Sequence, residues 1–231
     1  MEEFYNKKSF TSFCLCRQDR YSQGIKALLE NLDKAFEIPA DKLLKNGNSA
    51  TVVRCKSREY DLVIKRYNMK TMFHAARRAF KKSRADHSFC HAHILLDKGI
   101  NTPVPVAMKE KRFGPFRNKA YFICEYIDGP TALDFFQDNN NDDGQGFSDM
   151  AEQITDMFRL LKSSMISHGD MKATNIIIHN RKPFLLDLDS MVLHKGVQGF
   201  KRAWKKDMKR FMLNWASMPH VSELFKTLEN Q

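Results

Sequence analysis

Apolar residues recur along the chain with two periods, and the change between them separates a strand-rich first half from a helix-rich second half. Ile25, Leu28, Leu29 and Leu32 repeat at helical spacing, which predicts a helix over Ser22 to Ala35. From Leu43 the texture changes. Ala50 to Cys55 and Tyr60 to Lys65 read as two β-strands joined by the polar turn Lys56-Ser57-Arg58-Glu59. Residues 70–98 read as helix with a break at Ser83, and Gly99-Ile100-Asn101-Thr102-Pro103-Val104-Pro105 is a loop by its glycine and prolines. Val104 to Lys109 and Ala120 to Tyr126 form a second strand pair, turning at Arg112-Phe113-Gly114-Pro115-Phe116. After the flexible loop Gln137 to Gly146, a helix over Ser148 to Ser163 carries Met150, Ile154, Met157, Phe158 and Leu161 at helical spacing. Two short strands, Asn175 to His179 and Pro183 to Asp187, flank the turn Asn180-Arg181-Lys182. The expected layout is two lobes, 1–127 and 128–231, meeting near Asp128-Gly129-Pro130.

Composition narrows the partners. The 231 residues are 42% hydrophobic and 11% aromatic, enough for a buried core and incompatible with global disorder. A net charge of +11 favours acidic partners: phosphate, nucleic acid or an anionic membrane surface. The five cysteines are odd in number and lack a C-x-x-C pair; Cys14-Leu15-Cys16 has no second pair at ligand spacing. Five reduced thiols in a cytosolic protein are expected. Glu2 and Glu3 stand where a signal peptide needs bases, and no window approaches ~18 apolar residues, so a soluble protein that touches a membrane at most peripherally is expected.

The strongest chemical signal is His168-Gly169-Asp170-Met171-Lys172-Ala173-Thr174-Asn175, followed by Phe184-Leu185-Leu186-Asp187-Leu188-Asp189. The spacing matches a kinase catalytic loop, in which an Asp and an Asn five residues later precede a metal-binding Asp. Asp170 would orient the proton of an attacking hydroxyl. Asn175 and Asp187 would offer oxygen ligands to Mg²⁺, and Lys172 would reach the transferring phosphoryl group. His168 reads as an internal brace. Val63-Ile64-Lys65, leaving an apolar strand, places Lys65 where kinases hold nucleotide phosphates. The phosphate-covering turn would be Asn46 to Thr51, with Gly47 and Ser49 supplying backbone contacts; of the usual glycine pattern only Gly47 remains.

With these motifs the chain resembles the bacterial kinases of the lipopolysaccharide core, which phosphorylate heptose or a related sugar acid. The resemblance runs over roughly residues 43 to 215 and rests on Val63 to Asn68, Arg77-Arg78-Ala79-Phe80, Ser83-Arg84-Ala85, the Gly99 to Pro105 segment, Arg112 to Arg117 and Glu125-Tyr126. It implies an α+β fold of the bilobal protein-kinase type, with a small β-rich N-lobe and a helical C-lobe. It also implies ATP with Mg²⁺, a base at Asp170, and a hinge over Phe122 to Ile127 that faces adenine, with Glu125 and Ile127 as contacts. Two departures stand out. The helix after the lysine strand lacks the glutamate that pairs with the lysine in protein kinases, leaving Asp86 as its acid. No Ala-Pro-Glu segment follows Asp187, which disfavours a protein substrate.

Two basic runs remain, residues 65–84 and 195–210. The second interleaves Phe200, Trp204, Met208, Phe211, Met212 and Trp215, an amphipathic helix whose apolar stripe reads as core-facing and whose bases suit anionic lipid. Without a helix-turn-helix, zinc-finger or RNA-binding signature, nucleic acid is not expected. His91 and His93 are two residues apart and do not share a helix face, so no metal site is expected there. The expectation is a lipopolysaccharide core glycolipid as acceptor, at the cytoplasmic face of the inner membrane, without an obligate protein partner. The rivals are a kinase of a small cationic alcohol such as an aminoglycoside or choline, and a pseudokinase-like binding module of envelope assembly.

Overall fold

The computed structural model describes residues 3–37, 43–47, 49–68, 82–114, 116–138 and 145–229. The helical reading over 70–81, with the bases it carries, and the middle of the loop at 137–146 lie outside the described residues. The chain divides into two compact units, Met1–His93 with Val104–Tyr126, and Ile94–Pro103 with Ile127–Gln231. The α+β class that the resemblance implies is the one observed.

The first unit is built on a seven-stranded antiparallel sheet in the order β1-β2-β6-β7-β5-β4-β3. Its strands are β1 (Phe4–Lys8), β2 (Ser12–Arg17), β3 (Leu43–Asn46), β4 (Ala50–Lys56), β5 (Asp61–Tyr67), β6 (Pro105–Phe113) and β7 (Phe116–Glu125). Helix α1 (Gln23–Glu30) is capped by Ser22, whose Oγ accepts from the Ile25 N–H. It ends earlier than its apolar spacing predicts and continues as a 3-10 turn over Leu32–Phe36. Ile25, Leu29, Leu32 and Ala35 pack against Cys14, Cys16, Val53, Leu62, Ile64, Val106, Tyr121 and Ile123. Because side chains alternate across a strand, Leu62 and Ile64 face this cluster, and Val63 and Lys65 stand on the opposite face. There Ala50, Tyr67 and Ala120 meet Ala85 of helix α2 (Arg84–Asp97).

One ion cluster stitches this unit. Asp33 accepts from Lys119 Nζ at 3.1 Å and from Tyr121 Oη at 2.7 Å, and pairs with Lys111. Burial opposes the charge, yet the hydrogen bonds from Lys111, Tyr121 and Lys119 hold the Asp33 carboxyl well below the usual carboxylate range. All five cysteines are free thiols. Burial pushes Cys14 up to about 11 and Cys16 and Cys124 up to about 12, so each behaves as a small apolar side chain.

The second unit holds α3 (Ala132–Gln137), α4 (Gly146–Ser163), β8 (Ile166–Ser167), β9 (Ile176–His179), β10 (Lys182–Leu185), β11 (Val192–Leu193), α5 (Val197–Met212), α6 (Pro219–Leu224) and α7 (Lys226–Glu229). Strand β9 pairs with β10, and β8 with β11. The apolar stripe of α5 is core. Phe200, Trp204, Met208 and Phe211 are buried, and Trp215 beyond it is fully enclosed. Phe211 packs edge-on to Phe158 and Phe225 at centroid distances of 4.8 and 4.9 Å. Lys201, Arg202, Lys205, Lys206, Lys209 and Arg210 form the exposed back of the same helix. Among the described residues no helix is long and apolar enough to cross a membrane.

Candidate active site

The catalytic-loop motif occupies the connection between β8 and β9, and its shape is set by backbone hydrogen bonds. Gly169 adopts φ +81°, and a Cβ there would lie 2.6 Å from the Ser190 carbonyl oxygen, so the close approach requires glycine. The N–H groups of His168 and Gly169 both donate to Asp207 on α5, at 2.6 Å to Oδ2 and 3.0 Å to Oδ1. Asp207 is buried, and these charge-assisted bonds hold the start of the loop against the helix.

The same frame positions Asp187. Leu185 N–H donates to the Asn101 carbonyl at 2.9 Å, and Thr102 Oγ1 donates to the Leu185 carbonyl at 2.7 Å. Leu186 N–H donates to the Asn175 carbonyl at 2.8 Å, while His168 Nε2 donates to the Leu186 carbonyl at 2.7 Å. The four backbone groups immediately before Asp187 are therefore all held. His168 Nδ1 accepts from the Asp170 N–H at 3.3 Å, so the ring bridges the head of the loop and the end of β10. The Gly99 to Pro105 segment, a bare loop by its sequence, serves here as a splint along β10.

Asp187 itself sits in the left-handed region, φ 60° and ψ 54°, which aspartate tolerates better than most residues and which the surrounding bonds impose. The pairing of Ile176 with Leu185 brings Asn175 and Asp187 to the same open end of the β9–β10 hairpin. Asn175 Nδ2 donates to the Asp170 carbonyl at 2.9 Å, leaving its Oδ1 as the available ligand atom. An amide oxygen beside a carboxylate is a hard donor set that fits Mg²⁺. No cluster of three or more His, Cys, Asp or Glu capable of holding a metal occurs among the described residues.

Asp170 is flanked by two cations. Lys172 Nζ donates to Oδ2 at 3.0 Å, as the two-residue spacing allows. The second, Arg210 on α5, places Nη1 2.7 Å from Oδ1. Arg210 was legible only as one base among seven in the run 195–210. Its signal was position, three residues after the lone acid Asp207, whose own place on the apolar side of the helix marked it as a buried anchor.

The nucleotide-side candidates Lys65, Gly47, Ser49 and Glu125 fall in the first unit, and Ile127 opens the second. Lys65 pairs in register with Val52 and Phe122, and its Nζ lies 5.1 Å from the Tyr67 ring centroid. Gly47 N–H donates to the Ala50 carbonyl at 3.0 Å, and Asn68 N–H to the Ser49 carbonyl at 3.2 Å, which ties the turn to the end of β5. Asp86 pairs with Lys82 at 3.2 Å and accepts from Cys90 Sγ at 3.4 Å. The Glu125 carboxylate pairs with Arg20 at 2.7 Å on the α1 face, away from Lys65. There it borders a cavity of about 740 Å³ with Tyr21, Ser22, Glu59, Asp61 and Tyr126.

Comparison with known proteins follows this geometry. Residues 39–222 match the model of the "Lipopolysaccharide kinase (Kdo/WaaP) family". The chain is 24% identical over 148 residues to a "3-deoxy-D-manno-octulosonic acid kinase" of Vibrio cholerae serotype O1, a match over 59% of this chain and 60% of that protein. The chain thus spans less than two thirds of the length of this curated relative. Among solved structures it is similar to "WaaP in complex with acyl carrier protein", with a TM-score of 0.63 at 15% identity over 90% of this chain and 87% of that one. At that identity the likeness concerns the fold.

Proposed function

The chain belongs to the lipopolysaccharide kinase (Kdo/WaaP) family, and we propose that it transfers the γ-phosphoryl group of ATP to a hydroxyl of a Kdo-type sugar acid in the lipopolysaccharide inner core. The carrying observation is the assembly of Asp170, Asn175 and Asp187 around one hairpin end by backbone bonds. Asp170 orients the acceptor hydroxyl and takes its proton as the new oxygen–phosphorus bond forms. The bond between the γ-phosphorus and the β-bridging oxygen breaks, and ADP leaves. Asn175 and Asp187 would hold Mg²⁺, which when bound neutralises charge on the phosphates. Lys172 keeps the Asp170 carboxylate oriented and adds positive charge beside the transferred group. In this reading Lys65 binds the α- and β-phosphates, the backbone at Gly47 and Ser49 covers them, and the Glu125 to Ile127 backbone faces adenine. The Arg20 pairing makes a Glu125 side-chain contact unnecessary.

The choice of a sugar acid over heptose rests on Arg210 and Lys172. Two cations beside the base suit an acceptor with a carboxylate and repel an aminoglycoside or choline, whose charge is positive. The name of the Vibrio relative supports the same choice. The acceptor is a glycolipid, so we place the enzyme peripherally at the cytoplasmic face of the inner membrane, and a pull-down would test whether the acyl carrier protein found with WaaP binds here. The primary test is transfer of γ-labelled phosphate to dephosphorylated lipopolysaccharide cores ending in Kdo or in heptose, by wild type and Asp170→Ala. Label in the Kdo core from wild type alone is expected. Equal labelling by a folded Asp170→Ala protein would sink the catalytic assignment, and heptose labelling would move the acceptor.

A further inference from the structure

The most exposed aromatic rings in the described structure are not in the candidate active site. Phe10 is 65% exposed and Phe113 71% exposed, and they occupy the tips of two hairpins, β1–β2 and β6–β7. The tips are fastened side by side. Arg112 N–H donates to the Thr11 carbonyl at 2.8 Å, and Gly114 N–H to the Phe10 carbonyl at 3.0 Å. The two rings meet edge to face with centroids 5.3 Å apart. Gly114 permits this twice over. Its φ of +57° is a left-handed turn, and a Cβ there would press within 3.2 Å of the Phe10 ring. Two large apolar side chains are thus held together and exposed at the sheet end.

The flanking sequence is basic. Residues 7–13 and 109–119 contain Lys7, Lys8, Lys109, Lys111, Arg112, Arg117 and Lys119 against one acid, Glu110. Glu110 is buried and paired with Arg112, whose guanidinium stacks on Phe13 at 4.9 Å. Lys109, Lys111 and Lys119 turn inward to Leu29 and Asp33, but Lys7 and Lys8 are exposed and have no carboxylate partner among the described residues. A protein partner would need far more surface. The two rings together offer about 300 Å², against roughly 800 Å² per side in a stable interface. Paired aromatic rings at a tip with a cationic fringe have the chemistry of a bilayer surface, where rings settle at headgroup depth and lysines meet anionic lipid.

We propose that the joined tips carrying Phe10 and Phe113 form a membrane-docking element that inserts into an anionic bilayer. This deepens the reading of a glycolipid acceptor and rests on it for its biological purpose, while its physical test does not. The measurement is cosedimentation with phosphatidylethanolamine–phosphatidylglycerol vesicles that contain no lipopolysaccharide. The proteins compared are the full chain, Phe10→Ser/Phe113→Ser and Lys7→Gln/Lys8→Gln. Binding of wild type should fall at least tenfold in the double Phe variant, about what removing two partly inserted rings costs. The lysine variant should bind more weakly and with a shallower salt dependence. Phosphate transfer to a detergent-dispersed acceptor should stay unchanged in both, so loss of vesicle binding and loss of the kinase reading remain separate results. In a second measurement, Phe113→Trp should show blue-shifted emission with vesicles and quenching by brominated lipid, beyond any change in wild type. Unchanged vesicle binding by the double Phe variant, or emission from the Phe113→Trp protein that is indifferent to lipid, would overturn the proposal. So would wild type that ignores vesicles but forms a dimer that the double Phe variant loses, which would assign the tips to a contact between copies.

Discussion

At the scale of single residues, Asp170 has two cationic neighbours with different duties. Lys172 is two residues away and held by the loop, so in the proposed reaction it would stay with the Asp170 carboxylate. Arg210 arrives from α5 with its side chain half exposed, and its guanidinium can turn from the Asp170 carboxylate to an incoming anion. Truncation separates these duties. Arg210→Ala should raise KM for a Kdo-bearing acceptor about tenfold or more, the worth of one charge-assisted hydrogen bond, and leave KM for ATP in place. Steady-state kinetics with acidic and neutral acceptors checks this; equal losses on both would reduce Arg210 to a structural role. That Asp170, Lys172 and Asn175 lie together follows from their spacing, because a short loop encodes its geometry in consecutive residues, and the hairpin register adds Asp187. Arg210 was not legible in this way, because the contact spans forty residues and its one signal, a place three residues after Asp207, needs the burial of Asp207 to be known first.

At the scale of elements, the site depends on two supports distant in sequence. Asp207 accepts two backbone N–H groups at the head of the catalytic loop. Asp207→Ala would leave both donors buried and unsatisfied, and should lower unfolding stability by about 3 kcal/mol as read from denaturant titration. Thr102 secures the carbonyl of Leu185, two residues before Asp187. Thr102→Val keeps the shape, costs about 1 kcal/mol of stability, and should raise the Mg²⁺ concentration for half-maximal activity severalfold. An unchanged Mg²⁺ requirement would make Thr102 a packing residue only. Helix α4, helix α5 and the β9–β10 hairpin follow their apolar periods closely because each buries one clean face. The β1–β2 hairpin does not: β1 is exposed along almost its whole length, and β2 buries alternate positions with Cys14 and Cys16. Cys14 and Cys16 were read as reduced thiols and not as strand positions, which hid the alternation that marks a strand. Helix α3 was missed because its six residues are too few to show a period, although the Thr131–Asp134 capping box marks its start.

At the scale of the whole molecule, a chain of net charge +11 places few carboxylates where they matter, so each well-placed acid carries more of the charge balance. Asp33 joins the turn after α1 to strands β6 and β7 through Lys111, Lys119 and Tyr121. Its folded carboxyl titrates well below an unfolded aspartate, so between the two values the unfolded chain binds the extra proton and stability rises with pH. The contribution is therefore complete above the unfolded value, about pH 4, and is lost as pH falls toward the folded one. About a third of the Asp33 side chain is exposed, and solvent screening keeps the effect modest. Asp33→Asn should melt roughly 2–4 °C below wild type at neutral pH, the shift expected for about 1 kcal/mol in a chain of this size. The gap should persist down to about pH 5 and close below about pH 4, where wild-type Asp33 takes up its proton on unfolding. Tyr121→Phe, which removes one donor and leaves both lysines, should show a smaller gap with the same pH dependence. Thermal melts of the three proteins from neutral to acid pH decide the matter: a gap that is constant with pH would assign Asp33 a packing role, and a gap that widens in acid would contradict the direction of its shift.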